Sequence, residues 1–218
     1  MLEYSSIDIS ELINALVSNK ICFVCYRLPY KEELLFKIFR SENTESPHEI
    51  STYKKGFLFH PFTSEGSDKT YLLYPESSFS SHSIPIKIQE IIKKYSQVID
   101  FKHERIHDFI DISKNEYLDL VQDAIDIIST GELEKIVMSR QIYNQDITIN
   151  KAGKYLMKLS REYKTAFIYF LNLPGATSWL GATPELFLSG NKDNYQTVSL
   201  AGTSTNSNIN WGEKEITE

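Results

Sequence analysis

The spacing of hydrophobic residues predicts one helix and then several strands in the amino-terminal half of the chain. Apolar side chains recur at helical spacing between residues 6 and 18, which indicates a short amphipathic helix. An apolar run at 21–27 predicts a strand that ends before Pro29. Alternating or aromatic runs predict further strands at 34–39, 56–62 and 70–74, and a polar, serine-rich connection at 75–81. This half is therefore predicted to form an irregular, mainly β layer.

The pattern becomes more regular from residue 113 onward. Ser113 and Glu116 have the spacing of a capping box, and apolar residues then recur at helical spacing until Gly131, which predicts a helix over about 114–129. The elements predicted after it are a strand at 136–142, a helix at about 151–162, a strand at 165–171 and shorter strands at 178–181, 186–189 and 195–200. This order predicts an α/β (α+β) fold class with mixed, largely antiparallel sheets and packed helices.

The composition is that of an ordinary globular protein. The chain has 218 residues, of which 41% are hydrophobic and 12% aromatic, enough to bury a substantial core. Its net charge of -6 disfavours nucleic acid as the main ligand, because phosphate binding requires clustered Lys and Arg. No apolar run approaches the ~20 residues of a membrane helix, and the amino terminus lacks the layout of a signal peptide. We therefore expect a cytoplasmic protein with neither a nucleic acid nor a membrane as partner.

The two cysteines, Cys22 and Cys25, form a Cys-x-x-Cys pattern that is typical of redox proteins. Their neighbours are apolar and aromatic, which predicts a strand instead. Side chains three positions apart on a strand point to opposite faces of a sheet, so these thiols would not meet. We expect two buried strand thiols in a reducing compartment.

A second pattern, from His103 to His107, matches the zinc-peptidase sequence His-Glu-x-x-His. In that motif two histidines one helical turn apart bind zinc, and the glutamate, here Glu104, activates a water molecule. No histidine follows His107, so a third ligand would have to be a carboxylate, and the predicted helix start separates Glu116 from the motif. A solvated helix or linker is the preferred interpretation, and stoichiometric zinc in the purified protein would reverse it.

Two ionisable residues, Lys135 and Glu185, each lie on a β-type apolar run beside a turn, and together they could supply a base and an acid. They belong to four pieces of sequence that resemble, in order and spacing, the chorismate-utilising enzymes. These pieces are Gly131–Arg140, Leu180–Leu186, Ser199–Thr203 and Lys214–Glu218. The family includes isochorismate synthase, salicylate synthase, anthranilate synthase component I and aminodeoxychorismate synthase. The resemblance covers about half of the chain.

Two positions discriminate between branches of this family. The ammonia-using branches carry a glutamine where this chain has Lys135, so the lysine resembles the water-using isochorismate and salicylate synthases. Aminodeoxychorismate synthase carries a nucleophilic lysine where this chain has Ala201, and an alanine cannot form a covalent intermediate. The resemblance therefore implies an isochorismate synthase type of isomerase. Salicylate synthase, which would add pyruvate elimination, stays an alternative, and so does a non-catalytic binding remnant; the zinc peptidase is unlikely.

The resemblance also implies a mechanism and a metal. Lys135 would act as general base on water attacking C2 of chorismate, and Glu185 would act as general acid on the departing C4 hydroxyl. Ala201, Gly202 and Thr203 would line the substrate, although Ser204 and the residues after it depart from the proline and basic residue that many relatives have there. Mg²⁺ would offset the substrate carboxylates, with Glu218 as one of its two glutamate ligands.

The resemblance further implies two domains and an incomplete site. Residues 1–105 would form a weakly recognisable amino-terminal layer, and residues 106–218 the first part of a chorismate-binding domain. We therefore expect the chain to be a fragment of the fold, inactive alone and prone to self-association through uncovered apolar surface. Whether the product serves menaquinone or siderophore biosynthesis is left open.

Overall fold

The computed structural model describes residues 6–39, 56–59, 71–96 and 112–198, apart from 143, 176, 187 and 192. The chain divides into two compact units, one containing residues up to 102 and from 149 onward, the other containing residues 103–148. The predicted fold class is confirmed, because helices and sheets are both present and every strand pair in the described ranges is antiparallel.

The described helices are α1 (Ile9–Ser18), α2 (Ile88–Tyr95), α3 (Lys114–Thr130) and α4 (Ala152–Glu162), the last preceded by a 3-10 helix at Ile149–Lys151. The described strands are β1 (Phe23–Arg27), β2 (Leu35–Phe39), β3 (Phe57–Phe59), β4 (Tyr71–Leu73), β5 (Pro75–Ser80), β6 (Phe167–Leu173), β7 (Thr177–Thr183), β8 (Ser189–Gly190) and β9 (Tyr195–Gln196). None of the helices in these ranges is long and apolar enough to cross a membrane.

A five-stranded sheet forms the centre of the larger unit, in the order β5-β2-β1-β6-β7. Cys25 in β1 lies opposite Phe36 in β2 and Phe170 in β6, so strands from early and late in the chain share one sheet. Strand β7 continues this sheet, with Gly181 opposite Tyr169 and Thr183 opposite Phe167. The end of β7 is therefore fixed by pairing to β6.

The two faces of this sheet are covered differently. On one face, residues of α1, α2 and α4 such as Leu12, Ile92 and Leu156 pack in a cluster with Phe23 and Ile168 of the sheet. On the other face, the antiparallel pair of β3 and β4 contributes to a second cluster. Its fully or nearly fully buried members are Cys22, Val24, Phe39, Tyr71, Leu73, Leu171 and Leu173. The sheet thus contributes residues to an apolar cluster on each of its two faces.

The predicted burial of the two cysteines on opposite faces of the sheet is confirmed, although Cys22 lies one residue before β1, and the reducing compartment stays a prediction. Cys25 belongs to the cluster beneath the helices and Cys22 to the cluster on the opposite face, and both thiols are free and buried. Burial raises the pKa of the Cys22 thiol to about 12 and raises that of Cys25 well above its ordinary value. Neither thiol has the low pKa that redox chemistry requires.

The predicted capping box and the predicted glycine stop of helix α3 are confirmed as well. The Ser113 side chain accepts a hydrogen bond from Glu116 N–H, and the Glu116 carboxylate accepts one from Ser113 N–H over 2.7 Å, so both halves of the capping box are present. The helix ends at Gly131, whose φ of 79° is left-handed. The helices predicted near 6–18 and 151–162 and the strands predicted at 21–27, 34–39, 70–74, 165–171 and 178–181 are present with shifted ends.

Three predictions were wrong. Residues 186–189 were predicted as a strand, yet Leu186 and Leu188 lie outside any strand and only Ser189 belongs to β8. Residues 75–81 were predicted as a connection, yet Pro75–Ser80 forms β5, which pairs with β2 and stacks Phe79 on Phe36 with 4.9 Å between ring centroids. Residues 136–142 were predicted as a strand, yet no strand in the described ranges pairs with them, and Val137 and Ile142 are 82% and 68% exposed. A strand needs a partner, and β-branched residues alone do not supply one.

Candidate functional site

Lys135 lies in the irregular segment that follows α3. The left-handed turn at Gly131 ends the helix and turns the chain away from the helix axis. Thr130 Oγ1 accepts a hydrogen bond from Glu132 N–H over 3.4 Å, which holds the start of the segment to the helix end. At its far end the Arg140 guanidinium lies 5.7 Å from the ring centroid of Tyr117 in α3, a cation–π distance. Between these attachments the Lys135 side chain is exposed.

Glu185 lies directly beyond the end of β7. Its backbone N–H donates a hydrogen bond to Thr183 Oγ1 over 3.3 Å, which closes a short turn around Pro184. The proline favours an extended conformation at Thr183, in keeping with the position of that residue at the strand end. The Glu185 side chain is exposed, so a ligand at this end of the sheet could reach its carboxyl group.

The segment after Glu185 is hydrogen-bonded to the residues that precede Ser199–Thr203, the third of the four pieces of sequence. The Leu186 carbonyl accepts a hydrogen bond from Val198 N–H over 2.8 Å, and Thr197 Oγ1 lies 3.5 Å from the same oxygen. Val198 directly precedes Ser199, the first residue of that third piece. The structure therefore brings the approach to the third piece next to the end of the second.

Aromatic residues lie on the sheet face beside the carboxyl-terminal end of β7. Phe167 stacks on Tyr169 at 5.7 Å and lies 5.8 Å from Tyr26, measured between ring centroids. A Cβ atom at Gly181 would meet Tyr169 Cε1 at 2.5 Å, so the Tyr169 ring occupies the space that a side chain at Gly181 would fill. Burial raises the pKa of the Tyr169 phenol, and burial followed by the nearby Cys25 raises that of Tyr26. Both phenols stay protonated at neutral pH.

Several predicted site residues lie outside the described part of the chain. They are Ala201, Gly202, Thr203 and Glu218, and the histidine pattern from His103 to His107 lies outside it too. Lys135 and Glu185 belong to different compact units. Within the described ranges, no three His, Cys, Asp or Glu side chains are grouped to hold a metal ion. The role of Glu218 as a ligand therefore stays a prediction.

Two features of this region were not predicted from the sequence. The bond from Glu185 to Thr183 has a sequence signal, because a threonine followed by proline and another residue is typical of a side-chain-closed turn. The row of Tyr26, Phe167 and Tyr169 has none, since it depends on the register between strands far apart in the chain.

Comparison with known proteins gives one finding. A sequence model of the family described as chorismate binding enzyme matches residues 12–217. The match begins inside α1, so it includes the amino-terminal strands of the central sheet as well as the segments that carry Lys135 and Glu185. No curated protein and no solved structure matches the chain.

Proposed function

The chain belongs to the chorismate binding enzyme family, and we propose that within this family it is an isochorismate synthase. The reaction is the Mg²⁺-dependent conversion of chorismate to isochorismate, in which water attacks C2 of the ring and the C4 hydroxyl leaves. The observation that carries this choice is Lys135. It can act as a general base, and it stands where the ammonia-using branches have glutamine. A cytoplasmic location and a small molecule as the main partner belong to the same proposal.

The proposed step balances as an isomerisation. The water oxygen forms a bond to C2 while Lys135 accepts one of the water protons, the ring double bonds shift, and the C4–O bond breaks. Glu185 gives a proton to the departing hydroxyl, which leaves as water. One water is consumed and one released, so substrate and product are isomers. In the reverse direction Glu185 is the base and Lys135 the acid.

The described structure supports this assignment through exposure and local order. Both side chains reach solvent, which a group that meets a substrate and a water molecule must do. Each lies next to a backbone feature that fixes the start of its segment, the left-handed Gly131 for Lys135 and the turn at Thr183 for Glu185. Neither residue contributes to the two apolar clusters, so neither is needed to fill the core.

Magnesium dependence is part of the proposal. A divalent cation offsets the charge of carboxylates, and chorismate carries two of them. Glu218 is the residue of this chain that we propose as a ligand, and Gly202 and Thr203, with Ala201, are proposed to line the substrate. The alanine excludes a covalent intermediate at that position.

Product analysis of the full-length gene product tests the function. Incubated with chorismate and Mg²⁺ in the absence of ammonia, it should form isochorismate, and a chelator should stop the reaction. Salicylate and pyruvate as products would assign the protein to the salicylate branch. An aminated product formed only when ammonia is added would overturn the role of Lys135. No turnover under any of these conditions would favour a non-catalytic binding protein.

A further inference from the structure

Thr183 connects the central sheet to the backbone of Glu185. Its Oγ1 accepts the hydrogen bond from Glu185 N–H over 3.3 Å, across Pro184. Thr183 is also the last residue of β7, where it lies opposite Phe167 in register. Its own backbone is therefore fixed by pairing in the sheet, and its hydroxyl extends that order by two residues.

Two further features restrict the same stretch of backbone. The ring of Pro184 fixes its φ near -65°. On the other side, the Leu186 carbonyl accepts the hydrogen bond from Val198 N–H over 2.8 Å. Glu185 is thus the single residue between two anchored neighbours. Of these restraints, the one at Thr183 is supplied by a side-chain hydroxyl.

The exposure of Glu185 makes this backbone restraint important. A buried carboxyl group is positioned by the side chains packed around it, whereas for the exposed Glu185 side chain the backbone fixes the point from which its three rotatable bonds extend. Catalysis by a general acid depends strongly on its placement, and an error of about 1 Å can cost up to about 100-fold in rate.

Resting on the function proposed above, we propose that Thr183 is a positioning residue for the acid Glu185. Its hydroxyl holds the Glu185 backbone in the turn that aims the carboxyl group at the leaving C4 oxygen, and it does not contact the substrate. Thr183 therefore acts on the rate of the chemical step and leaves substrate binding largely unchanged.

A pair of substitutions separates the hydroxyl from the shape of the side chain. Thr183→Val keeps the volume and the β-branched form but removes the acceptor, and Thr183→Ser keeps the hydroxyl. In the full-length protein we expect kcat for chorismate to fall about tenfold in Thr183→Val, with KM changed by less than about twofold, and to stay within about twofold of the wild-type value in Thr183→Ser.

The control is Thr177→Val at the opposite end of the same strand, where Thr177 lies opposite Leu173. It should keep the wild-type kcat. A wild-type kcat in Thr183→Val would overturn the positioning role. An equal loss of kcat in Thr183→Val and Thr183→Ser would overturn it too. If Glu185→Gln kept activity, the acid assignment and the positioning role would both fail. If Glu185→Gln lost activity while Thr183→Val kept it, the positioning role alone would fail.

Discussion

Lys135 and Glu185 reach solvent from two different kinds of backbone. Lys135 follows a helix that ends in a left-handed glycine, and its segment is held by Thr130 and by the contact of Arg140 with Tyr117. Glu185 follows a strand and a proline turn. Since neither side chain fills the core, each can be replaced without leaving a cavity.

Replacing either residue by glutamine should therefore abolish chemistry without unfolding the protein. Lys135→Gln removes the proposed base, and Glu185→Gln removes the proposed acid while keeping the shape of the side chain. We expect each to lower isochorismate formation from chorismate at least about 100-fold, with the urea midpoint of unfolding unchanged. Lys158→Gln in α4, also an exposed lysine, is the control. Retained isochorismate formation in either variant would refute that residue's role.

At the scale of elements, helix α3 depends on its capping box. The hydrogen bonds with Ser113 lower the pKa of Glu116, so the charged carboxylate is favoured in the folded helix. A lowered pKa in the folded state means that this stabilisation is present at neutral pH and is lost as the pH falls through the folded pKa. The first turn of α3 should then fray as the solution is acidified.

This prediction is checked by the amide proton of Ser113, which donates to the Glu116 carboxylate. Its NMR shift should titrate in acid in the wild-type protein and stay constant in Glu116→Gln, because the glutamine side chain at position 116 does not ionise. Ser113→Ala should weaken the helix start by about 1 kcal/mol. A Ser113 amide shift that titrated equally in Glu116→Gln would contradict the assignment to Glu116.

The close packing of β7 against Tyr169 requires a glycine at position 181. At Gly181 a Cβ atom would lie 2.5 Å from Tyr169 Cε1, so Gly181→Ala must displace the Tyr169 ring, which stacks on Phe167. We expect a loss of about 1–2 kcal/mol in the free energy of unfolding. The same substitution made together with Tyr169→Leu should cost less, because the ring is gone. An equal cost in both backgrounds would show that Tyr169 is not the cause.

Features governed by neighbours in sequence could be predicted, and so could strands with an apolar sequence, whereas a strand of polar sequence that depends on a distant partner could not. The capping box at Ser113 and the left-handed Gly131 are interactions within a few residues, and both are confirmed. Strand β5 carries a serine-rich sequence typical of a connection, and it is a strand because β2 pairs with it. The candidate site follows the same division, since its residues were recognised by motif, whereas the row of Tyr26, Phe167 and Tyr169 depends on the pairing of distant strands and required the structure.

At the scale of the whole molecule, the central sheet joins residues before and after position 105, because β1 pairs with β6. The domain boundary near 105 stays a prediction, and the family match from residue 12 onward includes strands on both sides of it. The connections at the ends of these two strands meet around Arg27. Tyr30 N–H also donates to the Lys164 carbonyl over 3.0 Å, which ties the same two connections by their backbones.

Arg27 is a buried charge whose two Nη atoms donate to backbone carbonyls, whereas its Nε has no hydrogen-bond partner among the described residues. It is 2% exposed, and its guanidinium donates to carbonyls of both connections. The acceptors are the carbonyl oxygens of Leu28, Lys31, Tyr163, Lys164 and Ala166. Burial lowers the pKa of this guanidinium, and the carbonyl dipoles offset part of that cost. One side chain thus holds together the loops at the end of the sheet where β7 leads to Glu185.

Arg27→Met should therefore destabilise the protein far more than a surface arginine would. The methionine fills much of the same space but donates no hydrogen bond, so buried carbonyls lose their partners, at a cost of about 3 kcal/mol or more. Arg161→Met in α4 is the matched control, because Arg161 is exposed and its hydrogen bond within the described ranges goes to the nearby Met157 carbonyl over 3.2 Å. Its cost should stay below about 0.5 kcal/mol. Urea unfolding monitored by tryptophan fluorescence measures both values.

Arg27→Lys should recover only part of the loss, since one ammonium group cannot reproduce the fork that reaches both connections. Equal unfolding free energies for the two methionine variants would show that Arg27 does not hold this end of the sheet together.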